Sequence, residues 1–252
     1  MPIKSINTID DVISALDDII DDAVRQENPL GYFAALYREV TLKVKDGISN
    51  GDFENGPRME RLDVIFASRY IDAYYLYQDN QPITESWIIA FKQATNYWPI
   101  VLQHLLVGMN AHINLDLGIA AAEVSKGHDI DDLKADFNKI NDILSSLVNK
   151  VQDDLAQIWP TLKKILKWTK KVDDFLVDFS MELARDGAWN FAKIYSETEE
   201  HAITELVKNR DLDIANKSKI ITNPGFIVSL LLGIIRLGER GSVSERTNNL
   251  RT

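Results

Sequence analysis

The sequence contains no cysteine and little glycine or proline. Its 252 residues include 12 Gly, 7 Pro and no Cys. This composition excludes disulfides, thiolate nucleophiles and cysteine-ligated zinc or iron–sulfur sites. It is also unlike that of collagen-like or low-complexity disordered chains. A chain of this length buries roughly 70–75% of the surface that it exposes when unfolded, so a hydrophobic core forms without covalent or metal support.

Basic residues are outnumbered by acidic residues. The chain has 28 Lys and Arg against 38 Asp and Glu, which gives a net charge of -10. Such a balance favours solubility and disfavours binding to nucleic-acid phosphates. We therefore expect no nucleic-acid partner. The sequence leaves the oligomeric state open.

The sequence has no long uninterrupted run of apolar residues. The longest apolar segment, Phe226 to Ile235, is interrupted by Ser229 and Gly233 and is far shorter than the ~20 residues that span a bilayer. It predicts a buried C-terminal helix over about residues 224–238 and no membrane span. The first residues, MPIKSINTIDDVISALDD, carry acidic side chains where a secretory signal is apolar. We therefore expect a cytoplasmic protein.

Apolar residues recur at helical spacing along almost the whole chain, and no clean alternation of period two is visible. The pattern predicts an all-α protein, a multi-helix bundle in a single domain covering 1–252. The predicted helices cover about residues 9–23, 31–46, 58–77, 84–97, 99–125, 129–158, 160–195, 197–209 and 224–238. In the segment 99–125 apolar residues surround the helix axis, which is typical of a buried central helix.

This central helix carries two polar stripes. At ~100° per residue, and with His104 at zero, His112, Asp116 and Glu123 fall at about 80°, 120° and 100°. On the opposite side, at about -100°, -120° and -80°, the helix carries a second stripe: Gln103, Asn110 and Asn114. Each stripe needs polar partners, since an unsatisfied buried polar group costs ~1–3 kcal/mol.

The first stripe has two interpretations. His112 and Asp116 either form a catalytic site, as ligands of a divalent transition metal or as a general base with its orienting acid, or satisfy each other and an Arg or Tyr of a facing helix. His104 is either a further ligand or proton carrier, or a core histidine. For Asn110 and Asn114 the alternatives are substrate binding and hydrogen bonding between helices.

Two other segments supply candidates. In RMERLDVIFASRYIDAYYLYQ, Asp72 is a possible third ligand or base and Arg69 an anion clamp or a charge balance, or the two form a surface pair. Tyr70 and Tyr74 line either a substrate pocket or the core. Two residues of LARDGAWNFAKIY are either substrate anchors or part of a structural link between arginine, carboxylate and tryptophan: Arg185 and Trp189.

Several segments together resemble a bacterial family of unknown function. They include YFAALYREVT, MERLDVIFASRYIDAY, SWIIAF, DFNKINDIL, VQDDL and ARDGAWNFA, and the most specific is HLLVGMNAHINLDLGIAA. The resemblance covers about residues 28–195. It implies a shared helical domain with a common central motif, and it implies no reaction.

These observations support three hypotheses about function. The first is a small-molecule enzyme with a His/Asp site on the buried helix, in its most concrete form a metal-assisted hydrolase or oxidoreductase. The second is a noncatalytic helical module that binds an apolar small molecule. The third is a scaffold for a protein partner, which predicts a large exposed apolar patch.

Overall fold

The computed structural model describes residues 5–140, 143 and 181–251. The parts of the predicted helices that fall on 141–142 and 144–180 lie outside the described residues, as does the VQDDL segment. The described residues are helical, with no β-strand, which confirms the all-α class. Whether the chain is one domain stays a prediction.

Ten α-helices account for most of the described residues. They are α1 (Ile9–Arg25), α2 (Gly31–Asn50), α3 (Gly56–Gln78), α4 (Glu85–Lys92), α5 (Val101–Ala111), α6 (Leu117–Val124), α7 (Met181–Glu197), α8 (Glu200–Thr222), α9 (Phe226–Gly238) and α10 (Val243–Leu250). A 3-10 turn, Ile130–Leu133, leads into helical residues 134–140.

The predicted central helix is present and runs continuously through α5, a π-helical turn at His112–Asp116 and α6. Its span, Val101–Val124, is long and apolar enough to cross a membrane, but 94% of its most apolar stretch is buried inside the protein. It is therefore the core helix of the bundle, consistent with the prediction of no membrane span. In the described chain, α8 and α9 pass the same test only as a pair, bent by 67°.

Helices α2, α3 and α4 pack along one side of this central helix, and α7 and α8 pack along another. The α6–α7 crossing is close because α6 has a glycine there. A Cβ on Gly118 would lie 2.8 Å from the backbone oxygen of Ala188 and 2.9 Å from the ring of Phe191. The two halves of the central helix thus belong to two hydrophobic clusters, one with α1–α4 and one with α7.

Two buried aspartates fix the first turns of α3 and α4 from distant parts of the chain. Asp136 accepts the backbone N–H groups of Glu54 at 2.6 Å and Asn55 at 3.1 Å, just before α3. Asp211 accepts those of Glu85 at 2.7 Å and Ser86 at 2.9 Å, in the first turn of α4. A carboxylate at a helix N-terminus satisfies N–H groups that have no partner within the helix. These two contacts set the positions of the helices that carry Arg69 and Trp87.

Some predicted boundaries were wrong. Gly47 was expected to begin a loop, but α2 continues to Asn50 and ends at Gly51, whose φ of 74° suits glycine. Gly47 instead lies inside the helix, where a Cβ would come within 3.0 Å of the Phe53 ring. The eighth predicted helix is much longer than expected and ends at Thr222.

The prediction of a buried C-terminal helix was also wrong in part. Helix α9 buries Leu232 and Ile235, which are 3% and 2% exposed. Its other face is open to solvent, and Phe226 is 85% exposed. Both faces of this helix carry apolar residues, so the sequence pattern could not predict which face is buried.

Candidate active site

The carboxylate of Asp116 is the centre of the candidate site. This side chain is 0% exposed. One oxygen, Oδ1, accepts a hydrogen bond from Arg69 Nε at 2.7 Å. The other, Oδ2, accepts one from Trp87 Nε1 at 2.9 Å and lies 3.1 Å from His112 Nδ1. The predicted pairing of His112 with Asp116 is therefore present, and Arg69 of the facing helix completes it as the sequence suggested.

The His112 imidazole is enclosed by aromatic rings. Phe66 stacks on it with centroids 3.6 Å apart and planes 7° apart. Tyr37 meets it edge-on at 4.5 Å, and other rings of α2, α3 and α4 complete the enclosure with centroids within 6.1 Å: Phe33, Tyr70 and Trp87. We call these five side chains the aromatic box. The ring is 2% exposed.

Burial and charge together set the protonation of the pair. Burial lowers the pKa of His112, and the hydrogen bond to Asp116 offsets only part of that effect. Burial would raise the pKa of Asp116, but the Arg69 guanidinium, with His112 and Trp87, holds it below its ordinary value. At neutral pH the pair is therefore a neutral imidazole beside a carboxylate. His112 then donates its Nδ1 proton to Asp116, and Nε2 carries a lone pair.

Four buried polar atoms around this pair have no hydrogen-bond partner. They are His112 Nε2, the hydroxyls of Tyr37 and Tyr70, and Asp63 Oδ2. Each such group costs roughly 1–3 kcal/mol, and natural structures carry few of them, often at functional sites. Burial raises the pKa of Asp63 to about 7 and the pKa values of Tyr37 and Tyr70 well above their ordinary range.

The backbone under the pair is also unusual. Residues His112–Asp116 form a π-helical turn, in which the N–H of Leu117 donates to the carbonyl of His112, five residues back. Single π turns inside α-helices are rare overall, and those that occur are often at functional sites. The uniform angular spacing used in the sequence analysis could not detect it.

His104 lies about two helical turns before His112, in a different setting. It is 7% exposed, and burial together with Arg236 lowers its pKa to about 3. Its ring meets Tyr32 edge-on at 5.6 Å. With residues of α2, α3 and α4 it lines a cavity of about 20 Å3, which has room for about one water-sized group. His112 is not among the lining residues, so this cavity does not join the two histidines.

Three side chains separate this cavity from His112. Phe33, Tyr70 and Trp87 line the cavity and also belong to the aromatic box. The remaining lining is largely apolar and includes Gly108. A Cβ on Gly108 would lie 2.5 Å from the Phe33 ring, so glycine is needed for this ring to pack against α5. One layer of rings thus divides the cavity from the imidazole.

The second polar stripe faces α8. Asn110 Nδ2 donates to the backbone oxygen of Ile214 at 3.1 Å and to Ser218 Oγ at 2.9 Å. Asn114 Nδ2 donates to Asn110 Oδ1 at 3.2 Å. Gln103 Nε2 donates to the oxygen of Ile221 at 2.8 Å. The bonds of Gln103 and Asn110 are hydrogen bonds between helices, the second of the two alternatives for Asn110, whereas the bond from Asn114 to Asn110 lies within the central helix. A role of Asn110 and Asn114 in substrate binding stays a prediction.

The other candidates do not join His112 and Asp116. Asp72 is half-buried, and burial raises its pKa. Within the ranges described, no three His, Asp or Glu side chains are grouped closely enough to hold one metal ion. Tyr74 packs on Tyr75 and Phe91, with centroids 5.3 Å and 6.3 Å away. Metal binding through His112 and Asp116 therefore stays a prediction with no third ligand in view.

Arg185 and Trp189 belong to the second hydrophobic cluster. Trp189 packs on Phe137 with centroids 4.9 Å apart, and Lys134 lies 4.4 Å above its ring. The Arg185 guanidinium donates to the backbone oxygen of Phe137, and burial lowers its pKa to about 10. The two residues thus share Phe137 as a neighbour and do not reach Asp116. The predicted link from Arg185 to a carboxylate stays a prediction.

Sequence reasoning missed Trp87, Tyr37, Asp63 and the rings of Phe33 and Phe66 as parts of the site. The signal available was the aromatic content of YFAALY in α2 and of SWIIAF in α4. Neither segment carries a charged group that marks it as functional. Their role depends on the packing of α2 and α4 against the central helix.

A family model described as a family of unknown function, DUF5995, matches residues 9–224. The chain belongs to this family. This confirms the resemblance to a family of unknown function and extends it at both ends. No match was found among curated proteins or solved structures.

Proposed function

We propose that this protein is a small-molecule enzyme in which the His112 imidazole acts as a general base. The observation that carries the proposal is the unpartnered Nε2 atom of a ring whose other nitrogen lies 3.1 Å from Asp116. A carboxylate that holds Nδ1–H fixes the tautomer and leaves the opposite nitrogen free to accept a proton. Because burial keeps the ring neutral, this nitrogen is unprotonated at pH 7.

Arg69 and Trp87 make the carboxylate a stable orienting group. Both of its oxygens accept hydrogen bonds from these side chains, at 2.7 Å and 2.9 Å. They keep Asp116 ionised, so that it stabilises an imidazolium when His112 takes up a proton. Among the described residues, no third His, Asp or Glu lies close enough to complete a metal site with His112 and Asp116. The structure therefore favours acid–base chemistry over the metal-assisted form.

Hydrolysis is the simplest reaction of this kind because water is its only co-reactant. His112 Nε2 removes a proton from water, the hydroxide adds to a carbonyl carbon, and the proton returns to the leaving group. The neutral hydroxyls of Tyr37 and Tyr70, both unpartnered in the aromatic box, supply donors for the carbonyl oxygen. The substrate enters from the cavity beside His104 after one of the three dividing rings turns aside.

Hydrolysis of p-nitrophenyl acetate tests this proposal. We expect the His112→Asn variant to lose the protein-dependent rate by about 10²–10⁴-fold, the usual contribution of a general base. The matched control is His201→Asn, because His201 lies on α8 with a side chain 80% exposed. A wild-type protein that is no faster than His112→Asn contradicts the proposal.

The second candidate is noncatalytic binding of an apolar small molecule, and the cavity favours it. Its lining is dominated by Leu30, Phe33, Trp87, Phe91 and other apolar groups. Indole is the probe, and because the cavity has room for about one water-sized group, indole binds only if a lining ring such as Phe33 or Phe91 moves aside. This candidate predicts saturable changes in the NMR signals of Trp87 with no turnover, and the same binding in His112→Asn.

The metal-assisted form has its own test. Near-stoichiometric transition metal in protein purified without chelator, lost in His112→Ala, would support it. The cytoplasmic location remains part of the proposal.

A further inference from the structure

Helix α9 presents an apolar face to solvent while its opposite face packs on the core. Leu232 and Ile235 are buried. Phe226, Leu230 and Leu237 are 85%, 58% and 71% exposed. Their spacing places them, with Ile227 and Ile234, along one side of the helix. Contiguous exposed apolar surface of this kind marks an interaction site.

Two exposed aromatic residues extend this surface beyond the helix. Tyr97 and Trp98, in the loop before α5, are 64% and 61% exposed. The Arg236 guanidinium of α9 lies 4.7 Å above the Tyr97 ring, and its Nε donates to the backbone oxygen of Tyr97 at 2.7 Å. These contacts hold the loop beside the helix. We call the combined surface the apolar ridge: Tyr97, Trp98, Phe226, Leu230, Ile234 and Leu237.

Exposed basic residues flank α9 in the sequence, and we call them the basic rim. Between Ile214 and Arg240, the exposed charged side chains are Lys217, Lys219 and Arg240. The one acidic residue in this range, Glu239, has a side chain 4% exposed and is paired with Arg236 at 3.1 Å. The chain as a whole carries a net charge of -10. The basic rim is therefore local and opposite in sign to the rest of the protein.

We propose that the apolar ridge docks on the surface of an anionic lipid bilayer. Apolar side chains that enter the headgroup region, interfacial Trp and Tyr, and basic residues that meet lipid phosphates are the three features of such binding. Helix α9 has 13 residues and is about 20 Å long at 1.5 Å per residue, so it lies along the membrane and does not cross the ~30 Å hydrocarbon core.

A second copy of the chain fits this surface less well. Pairing two ridges through the same face would bring Lys217, Lys219 and Arg240 of each copy close to those of the other, and like charges facing each other oppose association. An anionic bilayer instead neutralises this rim. The family model ends at residue 224, two residues before α9 begins. The helical part of the apolar ridge therefore lies outside the region that the family model matches, whereas Tyr97 and Trp98 lie inside it.

Sedimentation with lipid vesicles tests the proposal. We expect the wild-type protein to bind vesicles of equal parts phosphatidylglycerol and phosphatidylcholine, and to bind pure phosphatidylcholine vesicles at least about tenfold more weakly. High salt is expected to weaken binding because it screens the basic rim. The double variant Leu230→Ser with Leu237→Ser is expected to lose binding at least about tenfold.

The matched control removes exposed apolar side chains elsewhere. Ile194 on α7 and Leu212 on α8 are 53% and 44% exposed, and the double variant Ile194→Ser with Leu212→Ser is expected to bind like the wild type. If the ridge variant fails to fold, Lys217→Glu with Lys219→Glu tests the charge instead and is expected to abolish the preference for anionic lipid.

Three results would overturn the proposal. They are wild-type protein that stays in the supernatant, equal binding to both kinds of vesicle, and equal loss in the ridge and control variants. A concentration-dependent dimer in sedimentation velocity, abolished by the ridge variant and accompanied by no vesicle binding, would also overturn it and assign the ridge to self-association.

Discussion

The central helix carries two buried histidines, His104 and His112, whose surroundings differ. Both rings are less than a tenth exposed, and burial lowers both pKa values. His112 faces a carboxylate at 3.1 Å, whereas the charged group that shifts the pKa of His104 is the cation of Arg236. Burial alone therefore makes an imidazole neutral. A fixed carboxylate also determines which nitrogen carries the proton, and this second condition distinguishes a candidate base from a core histidine.

The largest expected effect concerns the carboxylate on which this difference depends. In Asp116→Ala the buried donors of Arg69, Trp87 and His112 lose their acceptor. We expect the free energy of unfolding to fall by about 3–5 kcal/mol, as when one partner of a buried ion pair is removed, measured by urea denaturation. Asp132→Ala removes an exposed carboxylate and serves as the control. If the free energy of unfolding of Asp116→Ala falls by less than about 1 kcal/mol, this carboxylate does not distinguish the surroundings of His112 from those of His104, and the account is contradicted.

The second prediction uses pH at the other histidine. His104 takes up a proton near pH 6.5 in the unfolded chain and near pH 3 in the folded protein. Between these values the unfolded state binds more protons, so acidification destabilises the wild type. His104→Gln removes this effect, and its stability relative to the wild type should rise by up to about 1.4 kcal/mol for each pH unit below 6.5.

Unfolding curves recorded from pH 7 to pH 4 measure this difference. His201→Gln, which removes an imidazole with a side chain 80% exposed, is the control. At His112 the hydrogen bond to Asp116 opposes the effect of burial on the pKa, so the change in slope on removing that ring is expected to be smaller. If the free energies of unfolding of the wild type and His104→Gln change in parallel with pH, the fold does not hold His104 neutral.

The smallest expected effect concerns Gly108, which lies four residues from each histidine. In Gly108→Ala the new Cβ meets the Phe33 ring at 2.5 Å, and this ring borders both the cavity and His112. We expect a loss of about 1–3 kcal/mol from overpacking, measured by thermal denaturation, and shifts in the NMR signals of both imidazoles. Gly233→Ala is the control, since nothing lies within 4 Å of its Cβ position. If the NMR signals of either imidazole do not change in Gly108→Ala, the position of the Phe33 ring does not affect that histidine.

Residue patterns were sufficient for the parts of this account that depend on one helix at a time. Helical spacing predicted the all-α fold and the central helix, and the i, i+4 spacing predicted the contact between His112 and Asp116. Arg69 was found because it lies three residues before Asp72 and beside the tyrosines of the same helix. These features follow from local periodicity and from the cost of burying charge.

The rest depended on how the helices pack. Trp87 donates to Asp116 because α4 is fixed by Asp211, 126 residues after Glu85, and no local pattern records that contact. The π turn is invisible to a search that assumes a constant helical period. Helix α9 is apolar on both faces, so its exposure could not be predicted. Helix α10 was not among the predicted helices. It could have been found from the sequence, because Ser242 and Glu245 form a capping box at its start.

The most direct test of the account is the protonation of the two nitrogens of His112. A long-range 1H–15N NMR correlation at pH 7 reports each ring nitrogen separately. The account predicts a neutral ring in which Nδ1 carries the proton and Nε2 has the chemical shift of an unprotonated nitrogen. A proton on Nε2, alone or on both nitrogens, would contradict it, because His112 could then not accept a proton as the base of this site.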